Sequence, residues 1–292
     1  MSDADLNKTR VTRRFAAIRR RGTPGLVTFI TANDPTPDVF RQILEGLPAA
    51  GADIIEVGMP FSDPMADGPS IQLSSQRALK HDASLKRLLA TIAEFRDQEP
   101  DTPIILMGYY NPIYRYGPME FAADAAAAGV DGMIVVDLPP EEAEELNVYL
   151  RANGLHMIFL TAPTSSDVRL PTILRHASGF VYYVSVAGVT GTKTADESAV
   201  RQAVARLRRH TKLPVAVGFG IRTPDAARAI AAHCDAAVVG SAIVDVIAAG
   251  LGPDGAPKPG LAADVLGFVK GLAGGVARAA RDGAAPGAGP GS

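Results

Sequence analysis

Eight short apolar runs recur along the chain, at residues 26–30, 53–57, 103–107, 132–136, 155–160, 180–184, 213–217 and 235–239. They are rich in Val, Ile and other residues that suit strands, and they do not alternate with polar residues. Strands apolar on both faces belong in a parallel sheet covered by helices. The intervening stretches have helical character, as at 37–49, 85–96, 141–152, 197–209 and 224–232. Eight strands, each followed by a helix, are the count of a closed (β/α)8 barrel, the TIM barrel, which typically needs about 250 residues. The 292 residues here fit one such domain. A doubly wound open sheet is the alternative. Its phosphate fingerprint is missing after the first run, where Thr31-Ala32-Asn33-Asp34-Pro35 stands instead.

Two ends extend this plan. Near the N-terminus Val11, Phe15 and Ile18 fall at helical spacing in a basic segment, which predicts an extra amphipathic helix closing the floor of the barrel. That segment lacks the apolar run of a secretory signal. The barrel is expected over residues 1–270. From Gly271 onward Gly, Ala and Pro dominate, giving a helix end and a disordered tail over 271–292. Two connections are longer than the others. One follows the second strand and carries two helices, at 69–80 and 84–98; the other follows the sixth strand, over 186–196. Both lie on the carboxyl side of a strand, where barrel enzymes keep their chemistry.

Composition excludes several roles. Apolar residues make up 47%, too many for a disordered chain, and the net charge of −2 provides no global basic field for nucleic acid. No run of 18 apolar residues is present, so no membrane helix is expected. Cys234 is the single cysteine, so no internal disulfide can form, and none of the five histidines falls in a zinc spacing. The expectation is a cytoplasmic protein without a metal site.

Three constellations carry chemistry. Glu56 sits inside the apolar strand Ile54-Ile55-Glu56-Val57-Gly58, where an ionised carboxylate is costly to bury. It is either a structural acid satisfied by a nearby donor or a proton donor whose pKa is raised at the mouth of the barrel. Asp63 and Asp67 follow on a loop rich in ordinary turn formers, and each alone reads as a cap. Together with Glu56 they place three acids in differing environments. The third constellation is glycine-rich: Gly188-Val189-Thr190-Gly191, Gly218-Phe219-Gly220, and Gly240-Ser241 opening a helix. Singly these make tight turns. At the ends of the seventh and eighth strands, two of them form the usual place of a barrel's phosphate site, with a helix N-terminus to favour the anion. Phe29, Tyr109 and Tyr182, near strand ends, either fill core or line an apolar pocket.

This much points to a barrel enzyme acting on a phosphorylated substrate through carboxylate acid–base chemistry. The run from Glu56 through Gly58-Met59-Pro60-Phe61-Ser62-Asp63-Pro64-Met65-Ala66-Asp67-Gly68-Pro69 goes further: it closely resembles the signature of tryptophan synthase α chains. The resemblance continues in Leu106-Met107, Tyr110-Asn111-Pro112, Asp137-Leu138-Pro139, Ala162-Pro163-Thr164, Gly188-Val189-Thr190-Gly191, Gly218-Phe219-Gly220-Ile221 and Gly240-Ser241-Ala242, and covers residues 10–270. Asn33, where relatives carry Gly, is a departure, as are Met59 and Val186-Ala187.

The resemblance implies retro-aldol cleavage of indole-3-glycerol phosphate to indole and glyceraldehyde 3-phosphate. Glu56 would protonate C3 of the indole ring, and Asp67 would hold the ring N–H. Phe29 and Leu106 would contact indole, and Tyr182 would position the glycerol part. Gly191, Gly220, Gly240 and Ser241 would hold the phosphate, and Thr190 would link the second long loop to Asp67. Pro60 and Asp63 would face a β subunit in an α2β2 complex. That partner would carry pyridoxal phosphate, with no cofactor on this chain. A free-standing lyase of the same fold and a barrel isomerase for another sugar phosphate are the alternatives.

Overall fold

A computed structural model describes residues 8–185, 197–218 and 220–279. Its strands are β1 (Gly25–Thr31), β2 (Ile54–Gly58), β3 (Ile104–Gly108), β4 (Gly132–Val135), β5 (His156–Met157), β6 (Phe159–Thr161), β7 (Val181–Val184), β8 (Val215–Gly218) and β9 (Ala236–Val239). All pairings are parallel, in the order β5-β4-β3-β2-β1-β9-β8-β7-β6. The two ends of that order, β5 and β6, are halves of one barrel strand interrupted at Ile158, whose N–H donates to the Met133 carbonyl at 2.8 Å. The first half pairs with β4 and the second with β7. The sheet is therefore a closed (β/α)8 barrel, not an open one, and the expected strand at 155–160 differs only in this break.

Side-chain alternation sorts each strand into two packing zones. Leu26, Ile30, Ile55, Val57, Ile104 and Leu106 face outward and pack with Phe40, Leu44, Leu88, Ile92 and Phe121 from the surrounding helices. Val27, Ile54, Ile105, Ile134, Ile158, Phe180, Ala216 and Ala236 face the lumen. The floor is closed as expected. The Arg10–Arg21 helix buries Val11, Phe15 and Ile18 against that lumen, with the Phe15 and Phe180 rings 5.6 Å apart. Each large side chain so removed from water contributes roughly 2 kcal/mol. Thr9 caps the helix by accepting from the Thr12 amide at 3.2 Å.

The basic character of this helix has a local explanation. Asp53, Asp131 and Asp235 each stand at the entry to a strand and accept an amide of the neighbouring one: Leu26 at 3.0 Å, Ile104 at 2.9 Å and Val215 at 3.0 Å. Arg21 pairs with Asp53 at 2.9 Å and Arg10 with Asp131 at 3.1 Å, so the positive helix is clamped to the acidic lower rim.

Most helices match the expected stretches, including Pro69–Leu79 and Leu85–Gln98 after β2. The helix expected from 141 begins at Glu144, after a turn in which the Pro139 carbonyl accepts the Glu142 amide. The last helix, Leu261–Ala277, continues past Gly271 and buries Leu272 and Val276. Its Gly275 meets the Pro224 backbone so closely that any Cβ would overlap the carbonyl oxygen, which is why a helix-weakening residue belongs there. Residues 280–292 of the expected tail and the second long loop at 186–196 lie outside the described residues. No helix among the described residues is long and apolar enough to cross a membrane.

Candidate active site

The alternation that buries Ile54 in the lumen also points Glu56 there, one layer nearer the mouth. Across the β1–β2 pairing Glu56 sits in register with Phe29, and both line a cavity with Met107, Tyr182 and Val238. Glu56 is 1% exposed, and its Oε1 has no hydrogen-bond partner among the described residues. Burial alone pushes its carboxyl from 4.5 up to about 8, so it is a neutral acid near neutral pH. The reading of Glu56 as a structural acid satisfied by a nearby donor therefore has no support at that oxygen. Tyr182 is buried beside it. Desolvation and the Glu56 carboxyl both raise the phenol further above its ordinary range, so it stays protonated.

Asp67 faces the same cavity from the loop after β2. Its carboxyl is raised from the ordinary value by burial, against a lowering by the Tyr109 hydroxyl, which donates to Oδ2 at 3.0 Å. The same hydroxyl accepts the Ala66 amide at 2.9 Å, and the Phe61 and Tyr109 rings lie 5.1 Å apart. The loop is thus pinned by an aromatic residue from the end of β3. Its helical continuation, Pro69–Leu79, is moored to the end of β1 by Arg77, which bonds the buried Asp34 carboxylate at 2.6 and 2.8 Å.

At a third side of the cavity lie Gly220, Gly240 and Ser241. The Ser241–Ala249 helix opens there without a side-chain cap. Its first amides have no partner within the helix and suit an anion. One cavity therefore joins a neutral buried acid, a second carboxylate, an apolar wall and an anion-favouring helix start. Among the described residues no cluster of His, Cys, Asp and Glu could hold a metal ion.

A family model described as tryptophan synthase alpha chain matches residues 15–256. The chain belongs to the tryptophan synthase α family. It is similar to tryptophan synthase subunit alpha from Legionella pneumophila, at 36% identity and a TM-score of 0.84, covering 92% of this chain and 98% of that one. A Mycobacterium tuberculosis tryptophan synthase structure matches at 32% identity and 0.82, covering 92% and 98%. A structure from Aquifex aeolicus matches at 34% and 0.82, covering 94% and 100%. Membership makes the chain a lyase of tryptophan biosynthesis that cleaves indole-3-glycerol phosphate. In this family the α chain carries no cofactor, pyridoxal phosphate resides on the β chain, and the two chains pair.

Of the site residues expected for a tryptophan synthase α chain, Glu56, Asp67, Phe29, Tyr182, Gly220, Gly240 and Ser241 converge on the cavity. Thr190 and Gly191 lie outside the described residues. Leu106 is a correction. It is fully buried in the outer zone, between the barrel and its helices, and does not reach the cavity. In β3 the lumen-facing parity belongs to Ile105 and Met107, and Met107 lines the cavity. Pro60 is partly exposed and Asp63 exposed, on the rim beside the exposed Met65.

Sequence reading gave Tyr109 only as a possible pocket wall, missing its bond to Asp67, and it passed over Ile71 and Arg222. Met107 is marked only by the register of β3 with β2, which an all-apolar strand does not reveal by itself. No local pattern marks Tyr109 or Arg222, because their roles depend on a loop and a helix that meet only in the folded barrel.

Proposed function

We propose that Glu56 is the acid that starts cleavage of indole-3-glycerol phosphate in this chain, and that Asp67 stabilises the cation it creates. The neutral Glu56 carboxyl delivers its proton to C3 of the indole ring, the nucleophilic carbon, leaving an iminium cation. Asp67 accepts a hydrogen bond from the ring N–H and balances that charge, an interaction strongest in the transition state. The bond from C3 to the glycerol side chain then breaks and its electron pair returns to the ring. The adjacent side-chain hydroxyl loses its proton and becomes the aldehyde of glyceraldehyde 3-phosphate. The Glu56 carboxylate, which binds protons tightly in its dry setting, takes that proton and is restored. Phe29 and Met107 hold the ring, Tyr182 positions the glycerol part, and Gly220, Gly240 and Ser241 hold the phosphate by main-chain and hydroxyl donors. Thr190 and Gly191 take part from the second long loop.

The observation that carries this reading is a carboxyl 1% exposed, with an unpartnered oxygen, in a cavity shared with Asp67 and an uncapped helix start. Pro60, Asp63 and Met65 form the rim on which a β chain docks in an α2β2 complex in the cytoplasm, receiving the indole. The test is turnover of indole-3-glycerol phosphate by the parent and by Glu56→Gln, with and without a β chain of the family. The expected loss is at least about 100-fold in kcat with little change in affinity, since the deleted step is general-acid catalysis. Unchanged kcat in Glu56→Gln would remove the assignment. A parent rate indifferent to the β chain would remove the coupling.

A further inference from the structure

The cavity is lined by two acids, Glu56 and Asp67, and among its described lining residues by a single cation, Arg222. Arg222 lies two residues beyond Gly220, beside the start of the Ser241–Ala249 helix. Its Nη1 donates to Oδ2 of Asp245 at 2.8 Å, and Asp245 belongs to that same helix. Asp245 stands one turn into the helix, where an unpaired carboxylate would oppose an anion bound at its start. Pairing with the guanidinium offsets that opposition, and the five N–H groups of its planar fork let one Arg serve more than one acceptor.

We propose that Arg222 determines specificity for the phosphate group, adding a charged side-chain contact to the main-chain site and neutralising Asp245 as it does so. This deepens, and rests on, the reading that a phosphorylated indole substrate fills the cavity. It also gives the cavity a polarity. A phosphate dianion is drawn to the Arg222 side and away from the Asp67 carboxylate, which leaves the indole ring against Glu56 and Asp67. Both side chains of the pair are partly exposed, with relative accessibilities of 48% and 37%. The guanidinium can therefore turn toward a ligand without breaking core packing.

The experiment compares the parent with Arg222→Gln, Arg222→Lys and Asp245→Asn. Binding of glycerol 3-phosphate is measured by calorimetry, with indole as the unphosphorylated control, alongside KM and kcat for indole-3-glycerol phosphate. Arg222→Gln is expected to weaken glycerol 3-phosphate binding and raise KM by about ten-fold or more, the scale of one charge-assisted hydrogen bond. It leaves indole binding and kcat within about three-fold. Arg222→Lys restores part of the loss, since it keeps the charge and not the fork. Asp245→Asn binds the phosphate compound as tightly as the parent or more so. A role limited to bracing the loop would instead make Asp245→Asn weaken binding as Arg222→Gln does, and that result overturns the proposal. So does unchanged glycerol 3-phosphate affinity in Arg222→Gln, or no measurable affinity in the parent. Failure of the functional reading is separate: it is a parent that binds glycerol 3-phosphate and does not turn over indole-3-glycerol phosphate.

Discussion

The Tyr109 hydroxyl donates to Oδ2 of Asp67 at 3.0 Å while accepting the Ala66 amide at 2.9 Å, so one phenol fixes both the backbone and the carboxylate of the acidic loop. That bond favours the charged form of Asp67, opposing the upward push of burial. Removing it by Tyr109→Phe is expected to raise the Asp67 pKa further and to loosen the loop. The acidic limb of the pH–rate profile moves to higher pH, and kcat/KM at neutral pH falls by about ten-fold, the scale of one charged hydrogen bond. An acidic limb left in place would show that Tyr109 does not tune this carboxylate.

Ionisation of Glu56 at high pH lowers both rate and stability. Burial raises its folded pKa from the ordinary 4.5 to about 8. The folded state therefore holds a proton that the unfolded chain releases between these values. The contribution is full below pH 4.5 and is lost as pH rises through about 8. The span corresponds to on the order of 5 kcal/mol. Glu56→Gln, which never ionises, should be more stable than the parent at pH 8 and gain little at pH 4. Urea denaturation at the two pH values measures this. The parent's turnover should also fall as pH climbs through about 8, where the acid is lost.

At Gly218 a side chain is excluded by function as much as by space. A Cβ there would overlap the Tyr182 hydroxyl. Gly218→Ala is expected to displace Tyr182, raise KM for indole-3-glycerol phosphate several-fold and cost roughly 1–3 kcal/mol, the range of overpacked cores. Because the hydroxyl is the nearest of the clashing atoms, Gly218→Ala combined with Tyr182→Phe should be more stable than additivity allows. Additive melting temperatures would place the strain elsewhere.

The pair Asp34–Arg77 joins the end of β1 to the helix that follows the acidic loop, and the Asp34 side chain is fully buried. Arg77→Gln leaves a buried carboxylate without its cation, which typically costs about 3–5 kcal/mol. Thermal unfolding should register this, with much of the loss recovered when Asp34→Asn is added. A single variant as stable as the parent would mean that the pair does not moor the helix.

Much of the barrel was legible because parallel strands buried on both faces must be apolar throughout, and such runs stand out from the amphipathic helices between them. The floor helix was legible for the same reason, through Val11, Phe15 and Ile18. Glu56 was conspicuous as a carboxylate where only apolar residues are cheap. The family motif then supplied roles that periodicity could not. Leu106 shows the limit. A strand buried on both faces gives no polar signal for which parity faces the lumen, so adjacent apolar residues are easily exchanged. The neighbouring strands settle it, since Met107 pairs in register with Gly58 and Leu106 with Val57.

Asn33 shows a subtler case. The family resemblance leads one to expect Gly there, and the Asn33 backbone adopts φ 63°, a left-handed conformation that Asn tolerates better than most residues.

Sequence alone determined the class of fold, the number of barrel strands, the floor helix and the acids, since each depends on local composition and period. Tertiary structure decided which strand face looks inward, that Tyr109 reaches Asp67 and that Arg222 meets Asp245. Those contacts join residues 42 and 23 positions apart along the chain. They exist only because closing the sheet brings successive strand ends around one mouth, and no local signal encodes a distance across that ring.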